Sequence, residues 1–96
     1  MFVTIVEGEV EAARESDLLS AWKDKTADVL PAGLIESSLL RAEDGPWRIV
    51  TLWESREAVM AMRASGEPPA APVMFERAGS RPSLSMWTVE GRVSAT

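Results

Sequence analysis

The sequence predicts one α+β domain of ferredoxin-like order, β-α-β-β-α-β, with an antiparallel sheet. It should pair with a second copy of itself to close an α/β barrel. Three observations carry that expectation. Stretches of strand composition and stretches of helical periodicity alternate in the required order. The chain has 96 residues, room for one domain and not two. Several strands are apolar on both faces, whereas one layer of helices covers only one face.

The first strand is Phe2 to Val10, rich in Val, Ile, Phe and Thr, the residues that suit a pleated surface. Its alternate sets, Phe2-Thr4-Val6 and Val3-Ile5, both begin apolar. Ser16 and Asp17 open a helix, Ser16 as its cap and Asp17 at its positive end. Leu18, Leu19, Trp22, Thr26, Val29 and Leu30 recur at helical spacing. Pro31-Ala32-Gly33 ends that helix.

Leu34 to Arg41 is the second strand. Asp44-Gly45 then marks a tight hairpin with positive φ angles, and Pro46 sits at the mouth of the third strand, Trp47 to Trp53. Ser55 caps a second helix that runs through Ala64. The stretch 65–72 is too rich in Gly and Pro to be regular. Pro72 suits the first position of a short helix to about Ala78, Gly79 to Pro82 stops it, and Leu84 to Val89 is the last strand. The domain spans 2–91, and 92–96 is a polar tail expected to fray.

Ile49, Thr51 and Trp53 share one face of the third strand, and Val50 and Leu52 the other. Leu84 and Met86 oppose Trp87 and Val89. A second apolar sheet face needs cover, and a homodimer is the simplest cover. Disulfides cannot help so small a domain, because the chain has no cysteine. It has no histidine either, which excludes a Cys/His zinc site.

The formal charge is -5, and the ten basic residues form no run. That argues against a nucleic-acid partner and against anionic membrane, both of which need clustered positive charge. No apolar stretch approaches the ~20 residues of a membrane span. Met1 to Val6 lacks the basic flank of a signal peptide. The expected location is cytoplasmic.

Three stretches carry a resemblance to a known family. They are Leu30-Pro31-Ala32-Gly33-Leu34, the run from Ile49 to Ala58 containing Trp53-x-Ser55-x-x-Ala58, and the closing strand around Trp87. The pattern resembles the antibiotic biosynthesis monooxygenase-like domains of the dimeric α/β barrel superfamily. The resemblance implies a homodimer with a pocket between sheet and helices in each subunit. It also implies, for some members, oxidation of aromatic phenols by dioxygen without metal, flavin or haem. Haem-degrading members hold iron through a histidine that this chain lacks.

On that footing Trp53, where the third strand meets the helix, is the first candidate both for catalysis and for holding an aromatic ring. The alternative is that it fills core. Trp22 and Trp87 are further candidate pocket residues, each with a packing alternative, and Trp47 reads as a lid on the hairpin. Met60, Met62, Met74 and Phe75 flank the Pro-rich break, where soft side chains suit an adaptable apolar pocket or ordinary core. The 65–72 segment is either a lid or a plain connection.

A cofactor-free oxygenase needs a substrate that forms a carbanion and a group that takes its proton. A carboxylate could serve. Glu7, Glu9, Glu36 and Glu90 qualify by their place on strands, and Glu7 is the leading candidate. The expected function is thus a cofactor-independent monooxygenase acting on a small apolar, aromatic or quinone-like molecule. The rival is a non-catalytic binding or interaction module on the same scaffold.

Overall fold

The computed structural model describes residues 1–95. Its strands are β1 (Phe2–Gly8), β2 (Leu34–Arg41), β3 (Trp47–Trp53) and β4 (Ser83–Thr88), and its helices α1 (Glu15–Ala27), α2 (Arg56–Ala64) and α3 (Ala70–Arg77). A short 3-10 turn, Ala12–Arg14, precedes α1. The four strands form one sheet in the order β2-β3-β1-β4, every pair antiparallel. This is the ferredoxin-like order that the sequence predicts, with the second helical region split in two.

All three helices pack on one face of the sheet. Phe2, Thr4, Val6 and Gly8 of β1 point to that face, with Trp47, Ile49, Thr51 and Trp53 of β3 beside them. Leu18 and Ala21 of α1 meet Met74, Phe75 and Ala78 from the α3 side over Val6 and Ile49. Val59 of α2 meets Phe2 and Trp53 at the other end. Each such fully buried large side chain is worth about 1.5–3 kcal/mol of transfer free energy. Gly8 lets α3 close on β1: a Cβ there would stand 2.5 Å from Ser80 Oγ and 2.9 Å from the Phe75 ring.

No helix among the described residues covers the opposite face. Val3, Ile5, Val50, Leu52 and Trp87 lie on it, and Trp87 is 55% exposed. Glu7 and Arg48 are register partners on this face and form an ion pair. The expectation of a sheet apolar on both sides is met.

Several local expectations are corrected. The first helix begins at Glu15, so Ser16 lies inside it and caps nothing. Arg14 stands at the cap position instead, its Nε donating to Asp17 Oδ2 at 2.6 Å. The helix ends at Ala27, three residues short of Leu30. Thr26 Oγ1 donates back to the Trp22 carbonyl at 2.7 Å, which competes with continuation, and Asp28 is already extended at ψ 173°. The apolar stripe is accordingly narrower: Leu18 is buried, but Leu19 is 45% and Val29 99% exposed.

The Asp44-Gly45 turn does not use positive φ, which occurs only at Gly33, Gly66 and Gly79 among the described residues. It is a longer loop closed by Ala42 N donating to the Pro46 carbonyl at 3.1 Å. Trp47 is core and not a lid: it is buried, with the Arg41 guanidinium 5.4 Å from its ring centroid. The third helix starts at Ala70, which places Pro72 in its first turn and not at its first position. The first strand stops at Gly8, and residues 89–95 add no strand or helix. Thr96, part of the expected tail, lies outside the described residues.

Candidate active site

A cavity of about 560 Å³ lies between the sheet and the helices, within the range of small-molecule sites. Its floor is the helix-facing side of β1, β2 and β3. Its walls come from Trp22 of α1, Met62 of α2 and Met74 of α3, and its mouth from the loops around Leu30 and Pro68. A larger groove of about 840 Å³ opens elsewhere, but charged residues such as Glu9, Glu11, Arg14, Arg41 and Arg81 line it. The apolar cavity with a few placed polar groups is the better ligand site.

Local chemistry explains the mouth. Gly33 takes φ 86° in a turn where Leu34 N donates to the Pro31 carbonyl at 3.3 Å. Its own carbonyl accepts from Glu54 N at 2.8 Å. That bond ties the loop after α1 to the end of β3, beside Trp53. A bulge between Leu34 and Glu36 follows, turning Leu34 toward the cavity and leaving Ile35 43% exposed. Ser55 caps α2, its Oγ accepting from Ala58 N at 3.2 Å, as the sequence predicts.

Trp53 is 4% exposed and forms part of the cavity wall. Its Nε1–H is already spent, donating to Thr4 Oγ1 at 3.0 Å. It therefore offers a ligand its ring and no free donor. Across the floor, Ser37 Oγ and Thr51 Oγ1 share a hydrogen bond of 2.9 Å.

The cavity gathers some of the predicted residues and not others. Trp22, Trp53 and Met74 line it. Met60 does not. It packs on the Phe2, Trp53 and Val59 cluster, and Met62, two residues on along α2, takes the cavity position. Phe75 is fully buried between α3 and the sheet and does not reach the cavity. Trp87 stands on the open sheet face, its Nε1 donating to Ser85 Oγ at 2.9 Å.

Glu7 also lies on the open face, paired with Arg48, so it cannot take a proton from a ligand in the cavity. Glu9, Glu36 and Glu90 do not line the cavity and are exposed. The carboxylates that do reach it, Asp28 and Glu67, are exposed as well. Among the described residues no cluster of three or more His, Cys, Asp or Glu could hold a metal ion. Sequence reasoning missed Thr4, Ser37 and Thr51. The signal was there for two of them, because Thr51 shares alternation with Trp53 and Thr4 with Phe2 and Val6.

The fold has solved counterparts over its whole length. A protein of Deinococcus radiodurans classed as an antibiotic biosynthesis monooxygenase superposes with a TM-score of 0.75 at 11% identity, covering 100% of this chain and 99% of its own. SnoaB of Streptomyces nogalater, a cofactor-independent oxygenase, gives 0.68 at 18% identity, over 98% of both chains. MhuD of Mycobacterium tuberculosis, a haem degrader with two haems bound in its active site, gives 0.68 at 27% identity, over 98% of this chain and 100% of its own. No protein-family model and no curated protein matches the sequence. The resemblance read from the three sequence stretches is borne out: the chain has the fold of the antibiotic biosynthesis monooxygenase-like proteins.

Proposed function

We propose that this protein is a small cofactor-independent oxygenase acting on an aromatic or quinone-like molecule held in the sheet–helix cavity. The observation that carries the reading is the apolar cavity of about 560 Å³ with the Trp53 ring locked into its wall by Thr4. A fixed indole face suits a flat aromatic ligand, and apolar walls exclude water from an anionic intermediate.

The reaction would be that of an activated methylene or phenol. The substrate loses a proton, its carbanion bonds to dioxygen, and the resulting hydroperoxide loses water to leave a carbonyl. The balance is CH₂ plus O₂ to C=O plus H₂O. No predicted base reaches the cavity, so the substrate must be acidic enough to ionise on entry or at the exposed mouth carboxylates Asp28 and Glu67. Trp53 then acts by holding the ring in place.

Haem fits the donor set poorly. Proteins hold haem iron through His, Cys, Met or Tyr, and this chain has no His, Cys or Tyr. Among the described residues, the only such donors lining the cavity are the thioethers of Met62, Met74 and Met86.

The same proposal includes a homodimer formed through the open sheet face and a cytoplasmic location. No helix among the described residues is long and apolar enough to cross a membrane.

The second reading, a binding module without catalysis, draws on the lack of any buried acid or base in the cavity among the described residues. Oxygen-electrode assays over a panel of anthrones and naphthols separate the two. Uptake abolished by Trp53→Ala in a still-folded protein supports the oxygenase. Tight binding of the same compounds with no uptake supports the module.

A further inference from the structure

The cavity floor carries three hydroxyls in one row across the sheet. Thr51 is the register partner of both Thr4 on β1 and Ser37 on β2, and all three line the cavity. The flanking rows are apolar where they meet the cavity. Leu39, Ile49, Val6 and Leu84 lie on one side, and Leu34, Trp53 and Phe2 on the other, with Thr88 at the outer end of that row on the edge strand.

The donors can be counted. A hydroxyl has one proton to give and two lone pairs to receive, whereas an indole N–H only gives. In the Trp53–Thr4 bond Thr4 is therefore the acceptor and keeps its own proton. In the Ser37–Thr51 bond one hydroxyl donates and the other keeps its proton. These bonds leave two of the three floor protons uncommitted. Thr4 is 8% and Thr51 5% exposed, and the cavity is the space they share.

We propose that this row determines specificity, presenting two hydroxyl protons to two acceptor oxygens on one flat ligand. With Ser37 donating to Thr51, the free protons belong to Thr4 and Thr51. Cβ atoms of directly opposed residues lie about 4.5–5.5 Å apart. The matching ligand carries two oxygens at about that separation, as across the ring of a para-quinone. A ligand without them strands both hydroxyls in an apolar cavity and binds about tenfold more weakly for each. The inference rests on the reading of the cavity as the ligand site and adds what the site selects.

Titration calorimetry with 1,4-naphthoquinone, 1-tetralone and naphthalene tests it, on the parent chain and on Thr4→Val, Thr51→Val and Thr4→Ser. The chain has no cysteine for the quinone to alkylate. Expected affinities fall about tenfold from quinone to tetralone and about tenfold again to naphthalene. Thr51→Val should remove about tenfold from quinone affinity and leave naphthalene within about twofold. Thr4→Val also unlocks the Trp53 ring, so it should weaken all three ligands, the quinone by about tenfold more than naphthalene, and Thr4→Ser, which keeps the hydroxyl, should restore both.

Equal affinities for the three ligands overturn the inference while leaving the cavity reading intact. So does a valine variant that weakens naphthalene as much as the quinone. If none of the three binds, the cavity reading fails and this inference with it.

Discussion

The indole nitrogen of Trp53 donates to Thr4 Oγ1 at 3.0 Å, joining positions 49 residues apart in the chain. The bond is buried and spans β1 and β3 where the cavity floor meets its wall. Thr4→Val keeps the shape but strands the N–H, an expected loss of about 1–3 kcal/mol in urea unfolding. Thr4→Ser should recover most of that loss. Adding Trp53→Phe to Thr4→Val should cost less than the two single changes summed, because the stranded donor is gone.

Gly33 should be intolerant of any side chain. Its φ of 86° is one that L-residues avoid, and an added Cβ would stand 2.5 Å from Ala58 Cβ. The conformation alone costs about 1–2 kcal/mol. Gly33→Ala should lower the melting temperature by at least about 5 °C. Pairing it with Ala58→Gly should relieve the collision but not the backbone strain. Measured against Ala58→Gly alone, the double variant should therefore regain only part of the loss.

These two positions show what the sequence makes legible. Alternation along Ile49-Val50-Thr51-Leu52-Trp53 reveals two apolar faces, and Ser55 three residues before Ala58 reveals a cap. Both are local signals, and both hold. The positive φ of Gly33 is likewise foreshadowed by Pro31-Ala32-Gly33. What local signals cannot carry is phase against a distant partner. Trp87 faces away from the cavity because β4 pairs with β1 in the register that opposes Val3 to Trp87. Met62 and not Met60 lines the cavity, although both pack on the cluster of Phe2, Trp53 and Val59. The start of α1 was hidden for another reason: a 3-10 turn and the Arg14–Asp17 pair displaced the expected serine cap.

The open face of the sheet should hold two chains together. Val3, Ile5, Val50 and Leu52 form its centre, and Trp87 stands half out of it. Light scattering at micromolar concentration should report twice the 10.5 kDa chain mass. Val50→Asp and Trp87→Asp should each shift the equilibrium toward monomer, since an unpaired charge in an apolar interface is costly. A parent chain that runs as a monomer would remove the dimer.

Glu7→Gln should leave turnover and ligand affinity unchanged. Its carboxylate faces away from the cavity and pairs with Arg48, both side chains being well exposed at 36% and 54%. Exposed pairs of this kind contribute about 0–1 kcal/mol, so the stability of the separate chain should change little as well. A large fall in rate with intact folding would mean that the open face, and not the cavity, holds the chemistry.

Filling the cavity should separate binding from folding. Leu84 lines it from the edge strand β4 and is 43% exposed, so a larger side chain there has room to enter without displacing buried core. Tryptophan suits a strand, and Leu84→Trp should keep the melting temperature within a few degrees of the parent. The added ring occupies space that a flat ligand needs, and ligand affinity should fall at least about tenfold, or 1.4 kcal/mol. If affinity for the same compounds survives this change, the ligand sits elsewhere, and the charged groove around Arg14, Arg41 and Arg81 becomes the place to look. If affinity falls together with oxygen uptake, binding and chemistry share the sheet–helix cavity.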